Sequence, residues 1–252
     1  MKYVLSIFLV LFVVHVGMAE GVDDAHAKPP SDFLPGGADY IADAPIAQQL
    51  CNRVGFYCRS VTHNDNWAGL FENTEIRGDV MRLNRTNVAI EYRPFIILPK
   101  NKKHIDFKSW SPLPMHYNTG GKALVYVDLN KFAFGAYDQS GDLVRWGPAT
   151  GGKAWCSDLH ASCKTVTGVF HVERIGNASC RSHTYPMATH GGAPMPYCMF
   201  FHDGFAIHGS TLSGFTNRSR GCVRVFDGDA EWLNEHFLKL GTEVIVVQAH
   251  GL

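Results

Sequence analysis

An odd number of cysteines, seven in all, constrains this chain more than any other feature. Cys51 and Cys58, Cys156 and Cys163, and Cys180 and Cys198 form three sequence-local pairs, and Cys222 is left over. Residues 1–19 read as a secretory signal: Lys2 is the positive start, Tyr3 to Val16 the apolar run, and Gly17-Met18-Ala19 the small-residue cleavage site. That run is short for a bilayer span. Export would place the chain in a periplasm, a cell envelope or the medium, where oxidising conditions close neighbouring cysteines into small disulfide loops. Other pairings stay open, because sequence does not fix connectivity. An unpaired thiol in such a compartment is a liability unless it performs chemistry.

The surroundings of Cys222 supply that chemistry. Between Ile207 and Asp227 the chain reads IHGSTLSGFTNRSRGCVRVFD, so one loop joins an imidazole, His208, to a thiol, Cys222. A cysteine nucleophile and its base need no more than this. Arg220 and Arg224 flank the thiol, and two guanidinium charges would favour thiolate. Gly221 gives a substrate carbonyl access to the backbone and offers its own N–H, with that of Cys222, as an oxyanion hole. Ser219 can fix the turn by hydrogen bonding. The plainer reading, a buried structural cysteine, is common for free thiols but fits an oxidising compartment poorly.

Composition excludes more than it assigns. With 46% hydrophobic and 18% charged residues the chain fits an ordinary globular protein. Its formal net charge of zero gives no electrostatic case for nucleic acid or an anionic membrane surface. The 13 histidines are scattered, and no spacing of His, Cys or carboxylate matches a zinc signature. No metal and no cofactor is expected.

The pattern divides the chain after the signal. Residues 20–59, with Pro29-Pro30 and Pro35-Gly36-Gly37, read as a linker carrying the Cys51/Cys58 loop. Residues 60–100 read as a small α+β module: a short strand, two short helices marked by Trp67, Leu70 and Phe71 and by Val80, Leu83 and Asn84, and a closing strand at Phe95 to Pro99. A second linker covers 101–122. Residues 123–250 are mainly β, with strands at Ala123 to Leu129, Lys131 to Asp138, Leu143 to Trp146, Val169 to Ile175, Tyr197 to His202 and Phe205 to His208. Asp203-Gly204 is the strongest hairpin signal in the chain. Asp227 can cap one late helix whose Ala230, Leu233, Phe237 and Leu240 share a face, with Gly241 as its stop. A final strand begins at Thr242. These elements predict a β-sandwich or open barrel with one late helix.

His-Gly, a loop, then Ser219-Arg220-Gly221-Cys222-Val223-Arg224 resembles the signature of the YkuD family of L,D-transpeptidases, the cysteine enzymes that cross-link peptidoglycan. Thr165 to Phe170, Thr-Val-Thr-Gly-Val-Phe, stands where that family tends to have Thr-Pro-x-Gly-x-Phe, and the likeness runs over residues 123 to 249. Two positions depart from it: Arg220 replaces a histidine, and Val166 replaces the proline. Leu83-Asn84 and Asn87, before Ile96 to Pro99, are similar to a divergent LysM module, a small glycan-strand binder, although the usual Gly-Asp-Thr-Leu opening is absent.

The resemblance implies that Cys222 attacks the bond between diaminopimelate and terminal D-Ala of a tetrapeptide stem, with His208 as base, leaving a thioester that an amine resolves into a 3-3 cross-link. Water in place of the amine would make the protein a carboxypeptidase or endopeptidase. A decayed site would leave a peptidoglycan- or host-surface-binding protein. Around the pair, Arg224, Arg220, Tyr197, His202 and Gly209 are the candidate substrate-contacting residues. A backbone carbonyl suits the role of orienting His208, since Gly209 has no side chain. The loop between Cys180 and Cys198 is a candidate lid. Peptidoglycan stem peptides, and glycan strands at the module, are the expected partners.

Overall fold

A computed structural model describes residues 45–101 and 106–248. The expected signal segment and residues 20–44 lie outside the described residues.

The N-terminal module begins earlier than composition indicated. Pro45–Asn52 forms α1 and Phe56–Ser60 forms β1, both within the stretch read as linker. Pro45 opens α1 at a position where a missing N–H costs nothing. Ile46 and Leu50 then pack with Phe56 and Ile97, so these residues have a core to join. The disulfide Cys51–Cys58 ties the helix to the strand. Next come α2 (Trp67–Leu70), α3 (Thr74–Leu83) and β2 (Phe95–Pro99). Asn66 and Asn73 cap the two helices, accepting from the N–H groups of Gly69 and Ile76 at 2.7 and 2.9 Å. β1 and β2 pair antiparallel with Cys58 opposite Ile97.

The C-terminal half holds β3 (Leu124–Asp128), β4 (Ala133–Tyr137), β5 (Leu143–Pro148), β6 (Gly168–His171), β7 (Arg174–Ile175), β8 (Met199–His202), β9 (Phe205–Gly209), β10 (Val223–Val225), α4 (Asp227–Trp232) and β11 (Glu243–Val247). They form a five-stranded sheet ordered β5-β4-β3-β11-β6 and a four-stranded sheet ordered β10-β9-β8-β7. Val125, Val127, Phe134 and Val244 of one sheet meet Met199, Phe201, Ile207 and Val223 of the other in a common core, with Ala230 and Leu233 covering one end. The fold is therefore mainly β, a sandwich as the strand pattern predicts.

Three local expectations change. The strand read through Val169 to Ile175 breaks at Val172–Glu173, and its halves join different sheets: β6 pairs with β11 and β7 with β8. Asp227 is the first residue of α4 and the cap is Phe226. The helix relaxes into a π turn over Leu233–Phe237 and ends there, so Leu240 is 68% exposed and not part of the buried face.

The module and the sandwich share buried surface. Trp67, Val80, Ile90 and Ile96 pack with Leu212 and Phe226. Asp229, with no exposed surface, takes both Arg82 of α3 at 3.1 Å and Arg145 of β5 at 2.7 Å. Arg85 is as deeply buried and has carbonyl partners, donating to Phe132, Arg82 and Leu83 at 2.9, 2.9 and 3.0 Å. Its guanidinium lies over the rings of Trp146 and Phe215, 4.9 and 5.3 Å from their centroids. Burial lowers its pKa to about 9, so it remains a cation at neutral pH. The stretch read as the second linker is also anchored, by Phe107 stacked on Trp146 at 4.3 Å and accepting the Trp146 indole N–H at 2.9 Å.

Candidate active site

The Asp203-Gly204 turn closes β8 onto β9, with Met199 opposite Ile207. β10 lies parallel to β9 with Arg224 opposite His208. Side chains alternate along a strand, so Cys222, two residues before Arg224, falls on the same face as His208. Both line one cavity of about 410 Å³.

His208 is buried, and its Nδ1 lies 2.8 Å from the Gly209 carbonyl oxygen. A carbonyl only accepts, so Nδ1 carries the proton and the lone pair sits on Nε2. The expected backbone orienter is thus in place. Burial, with a lesser contribution from Arg224, lowers the His208 pKa to about 4, against a smaller raising effect of the Gly209 carbonyl. The imidazole is neutral at physiological pH and available as a base.

Cys222 has no disulfide partner, while the three local pairs are all joined. Burial pushes the Cys222 thiol up, and a backbone hydrogen bond from Ala206 and the positive charge of Arg224 offset this only in part. The flanking arginines were expected to hold a thiolate. Instead Arg220 is paired with Asp158 and lies over the Tyr185 ring, 5.3 Å from its centroid, leaving desolvation dominant. The resting pair is thiol and neutral imidazole.

The turn before Cys222 is held from inside and outside. Ser219 Oγ accepts the Gly221 N–H at 3.0 Å and donates to the Cys222 carbonyl at 2.5 Å. Thr165 Oγ1 donates to the Gly221 carbonyl at 2.7 Å and accepts the Gly152 N–H at 2.8 Å. Gly221 has φ of +128°, and a Cβ there would lie 2.8 Å from the Phe205 ring. These bonds correct the expected oxyanion hole: the Gly221 N–H is engaged by Ser219, and the Cys222 N–H is the donor the turn leaves for a substrate. Thr165 belongs to a segment the sequence singles out, but its partner is far along the chain and has no local signal.

Other expected site residues stand apart from the cavity. The Tyr197 hydroxyl donates to the Glu231 carboxylate at 2.7 Å. His202 sits against Phe170 and Phe205, with centroids 5.0 and 6.2 Å away. Neither lines the cavity: Tyr197 precedes β8 with φ of +55°, and the register of β8 shifts between Phe200, which does line it, and His202. Gly209 acts through its carbonyl, and a Cβ there would meet Asp227 at 2.3 Å. The walls come instead from the disulfide-closed loop, through Ser182 to Tyr185 and Ala193 to Met195, and from Arg174, which lies over the Phe200 ring at 3.7 Å. Among the described residues no Asp or Glu lines the cavity, whereas Arg174, Arg220 and Arg224 do.

The YkuD family model, the L,D-transpeptidase catalytic domain, matches residues 122–246. No curated protein matches the chain. An L,D-transpeptidase structure from Xylanimonas cellulosilytica is 21% identical with a TM-score of 0.50, over 67% of this chain and 78% of that one. One from Mycobacterium smegmatis is 20% identical with a TM-score of 0.41, over 50% of this chain and 59% of that one. One from Stackebrandtia nassauensis is 18% identical with a TM-score of 0.43, over 70% and 68%. A free cysteine and an oriented histidine lining one cavity are the parts of a cysteine nucleophile and its base. The domain that carries them belongs to the YkuD family of L,D-transpeptidases, cysteine-dependent enzymes of peptidoglycan.

Proposed function

We propose that this chain is exported, acylates Cys222 with a peptidoglycan stem peptide and transfers the acyl group to an amine. His208 Nε2 takes the thiol proton as sulfur attacks the amide carbonyl carbon of the donor. The resulting oxyanion is met by the Cys222 N–H, a contribution of about 3 kcal/mol for one such donor. The C–N bond then breaks, the imidazolium protonates the leaving amine, and terminal D-Ala departs, leaving a thioester. An acceptor amine, losing its proton to His208, attacks that thioester and regenerates the thiol. A diaminopimelate amine gives a 3-3 cross-link, a protein lysine attaches a protein, and water gives trimming.

The observation that carries this reading is the placement of Cys222 and His208 at one cavity walled by the Cys180–Cys198 loop inside the matched domain. Arg174 and Arg224 at that cavity, beside Arg220 that is shared with Asp158, suit a substrate that carries carboxylates. Export rests on the reading of residues 1–19 and on the three disulfides. Glycan-strand contact by the module is part of the proposal, supported by its strand, two helices and strand, and is read by a peptidoglycan pull-down. Incubation with a disaccharide-tetrapeptide tests the reaction. A dimer formed with loss of D-Ala, and absent for Cys222→Ala, is the expected product. Tripeptide without dimer would replace transfer by hydrolysis.

A further inference from the structure

Because β9 and β10 are parallel, the chain between them must cross over, and it does so through residues 210–222 without a helix. The second half of this crossover is fixed by the sandwich: Asn217 accepts the Gly151 N–H at 2.7 Å, and Ser219 N–H donates to Gly151 at 2.9 Å. The first half is fixed from outside the matched domain. Asn87 Oδ1 accepts the Leu212 N–H at 2.7 Å, its Nδ2 donates to the Ser210 carbonyl at 3.3 Å, and its own N–H donates to the Leu212 carbonyl at 3.2 Å. Thr86 Oγ1 donates to the same Leu212 carbonyl at 3.0 Å, and Arg93 donates to the Ser213 carbonyl at 2.8 Å. Gly214 N–H donates back to the Arg85 carbonyl at 3.0 Å.

All three module side chains are buried, so water does not substitute for the bonds they make. The segment they grip follows directly on Gly209, the residue whose carbonyl fixes the His208 tautomer. At this end the sandwich supplies Gly209 N–H to the Pro196 carbonyl and Ser210 N–H to the Val225 carbonyl, each at 2.9 Å, and from Leu212 to Gly214 the crossover is held by the module.

We infer that Asn87, Thr86 and Arg93 are positioning residues for catalysis: by holding Ser210 to Ser213 they keep the Gly209 carbonyl on His208 Nδ1 and leave Nε2 free for the Cys222 proton. The catalytic unit then extends past the matched domain into the N-terminal module. This rests on the reading of His208 as the base of Cys222.

Asn87→Leu in the full chain is the direct test, with activity normalised to the folded fraction read by near-UV circular dichroism, so that unfolded protein is not counted. Displacement of a catalytic group by about 1 Å costs up to about a hundredfold in rate, and kcat for Asn87→Leu is expected to fall about tenfold or more with KM within about twofold. Thr86→Val, which removes one hydroxyl at constant shape, is expected to lower kcat about threefold and serves if Asn87→Leu does not fold. Asn73→Ala removes the cap of α3, destabilising the same module without touching the crossover, and should leave normalised kcat unchanged. The rate of Cys222 alkylation at pH 7 follows the same order of variants and needs no muropeptide. It therefore tests the inference even if the wild type shows no turnover. Equal kcat and equal alkylation rates for wild type, Asn87→Leu and Thr86→Val would overturn it, as would a loss in Asn73→Ala matching theirs.

Discussion

His208 gives the fold a pH dependence that can be calculated. Its imidazole has a pKa of about 4 in the folded chain against an ordinary 6.5, because burial excludes the charged form. Above pH 6.5 both folded and unfolded chains hold it neutral, and it contributes no pH dependence. Between pH 6.5 and about 4 only the unfolded chain takes up the proton, so folding stability falls as pH falls. Below about 4 both are protonated and the loss levels off. The difference of about 2.5 pK units, at 1.36 kcal/mol each, amounts to about 3 kcal/mol. Carboxylates titrate in the same window; Asp79, raised to about 6 by burial, acts in the opposite sense. Comparison with His208→Asn cancels these shared contributions. Urea unfolding of both chains from pH 8 to pH 4 should show the wild type losing about 3 kcal/mol relative to the variant. Parallel loss in the two chains would refute the argument that His208 is buried neutral. In activity, the same titration sets the acid limb of kcat/KM near pH 4, well below a solvent-exposed histidine.

Further expectations follow from the same contacts. Ser219→Ala leaves the Gly221 N–H and the Cys222 carbonyl without their buried partner; kcat should fall about tenfold or more by steady-state kinetics, and chemical unfolding should show a loss of about 1–3 kcal/mol. Asp229→Ala leaves Arg82 and Arg145 facing each other without their buried carboxylate, and chemical unfolding should show a loss of about 3 kcal/mol or more. Arg220→Ala cuts the link between Asp158 and Tyr185, and so between two disulfide-closed loops; stability should change by less than about 1 kcal/mol, since the pair is partly exposed. Its effect should appear in KM for the donor, which an unchanged KM would contradict.

Where local chemistry decides the outcome, the sequence is readable. The cysteines nearest in sequence are the ones that join, Asp203-Gly204 turns β8 onto β9, and the residue after His208, lacking a side chain, orients it by a carbonyl. Distant partners have no such local signal. Ser219 was legible as a turn-fixing residue, yet that it would occupy the Gly221 N–H depends on the turn's actual dihedrals. Arg220 looks like a charge on Cys222 until Asp158 of another loop takes it up. Tyr197 precedes β8 and His202 ends it past a register shift that no local signal announces, and neither reaches the cavity. The hold of Thr86, Asn87 and Arg93 on the crossover joins residues more than a hundred positions apart, and a composition reading sees only a polar turn.

Formation of an acyl-enzyme at Cys222 tests the central claim most directly. Intact mass of the protein, incubated with a tetrapeptide-stem donor and no acceptor, should increase by the donor less D-Ala, with the adduct mapped to Cys222 and free D-Ala released in equal amount. His208→Asn should form it far more slowly. A free, alkylatable Cys222 that gains no mass from that donor while D-Ala stays bound to the peptide would contradict the account.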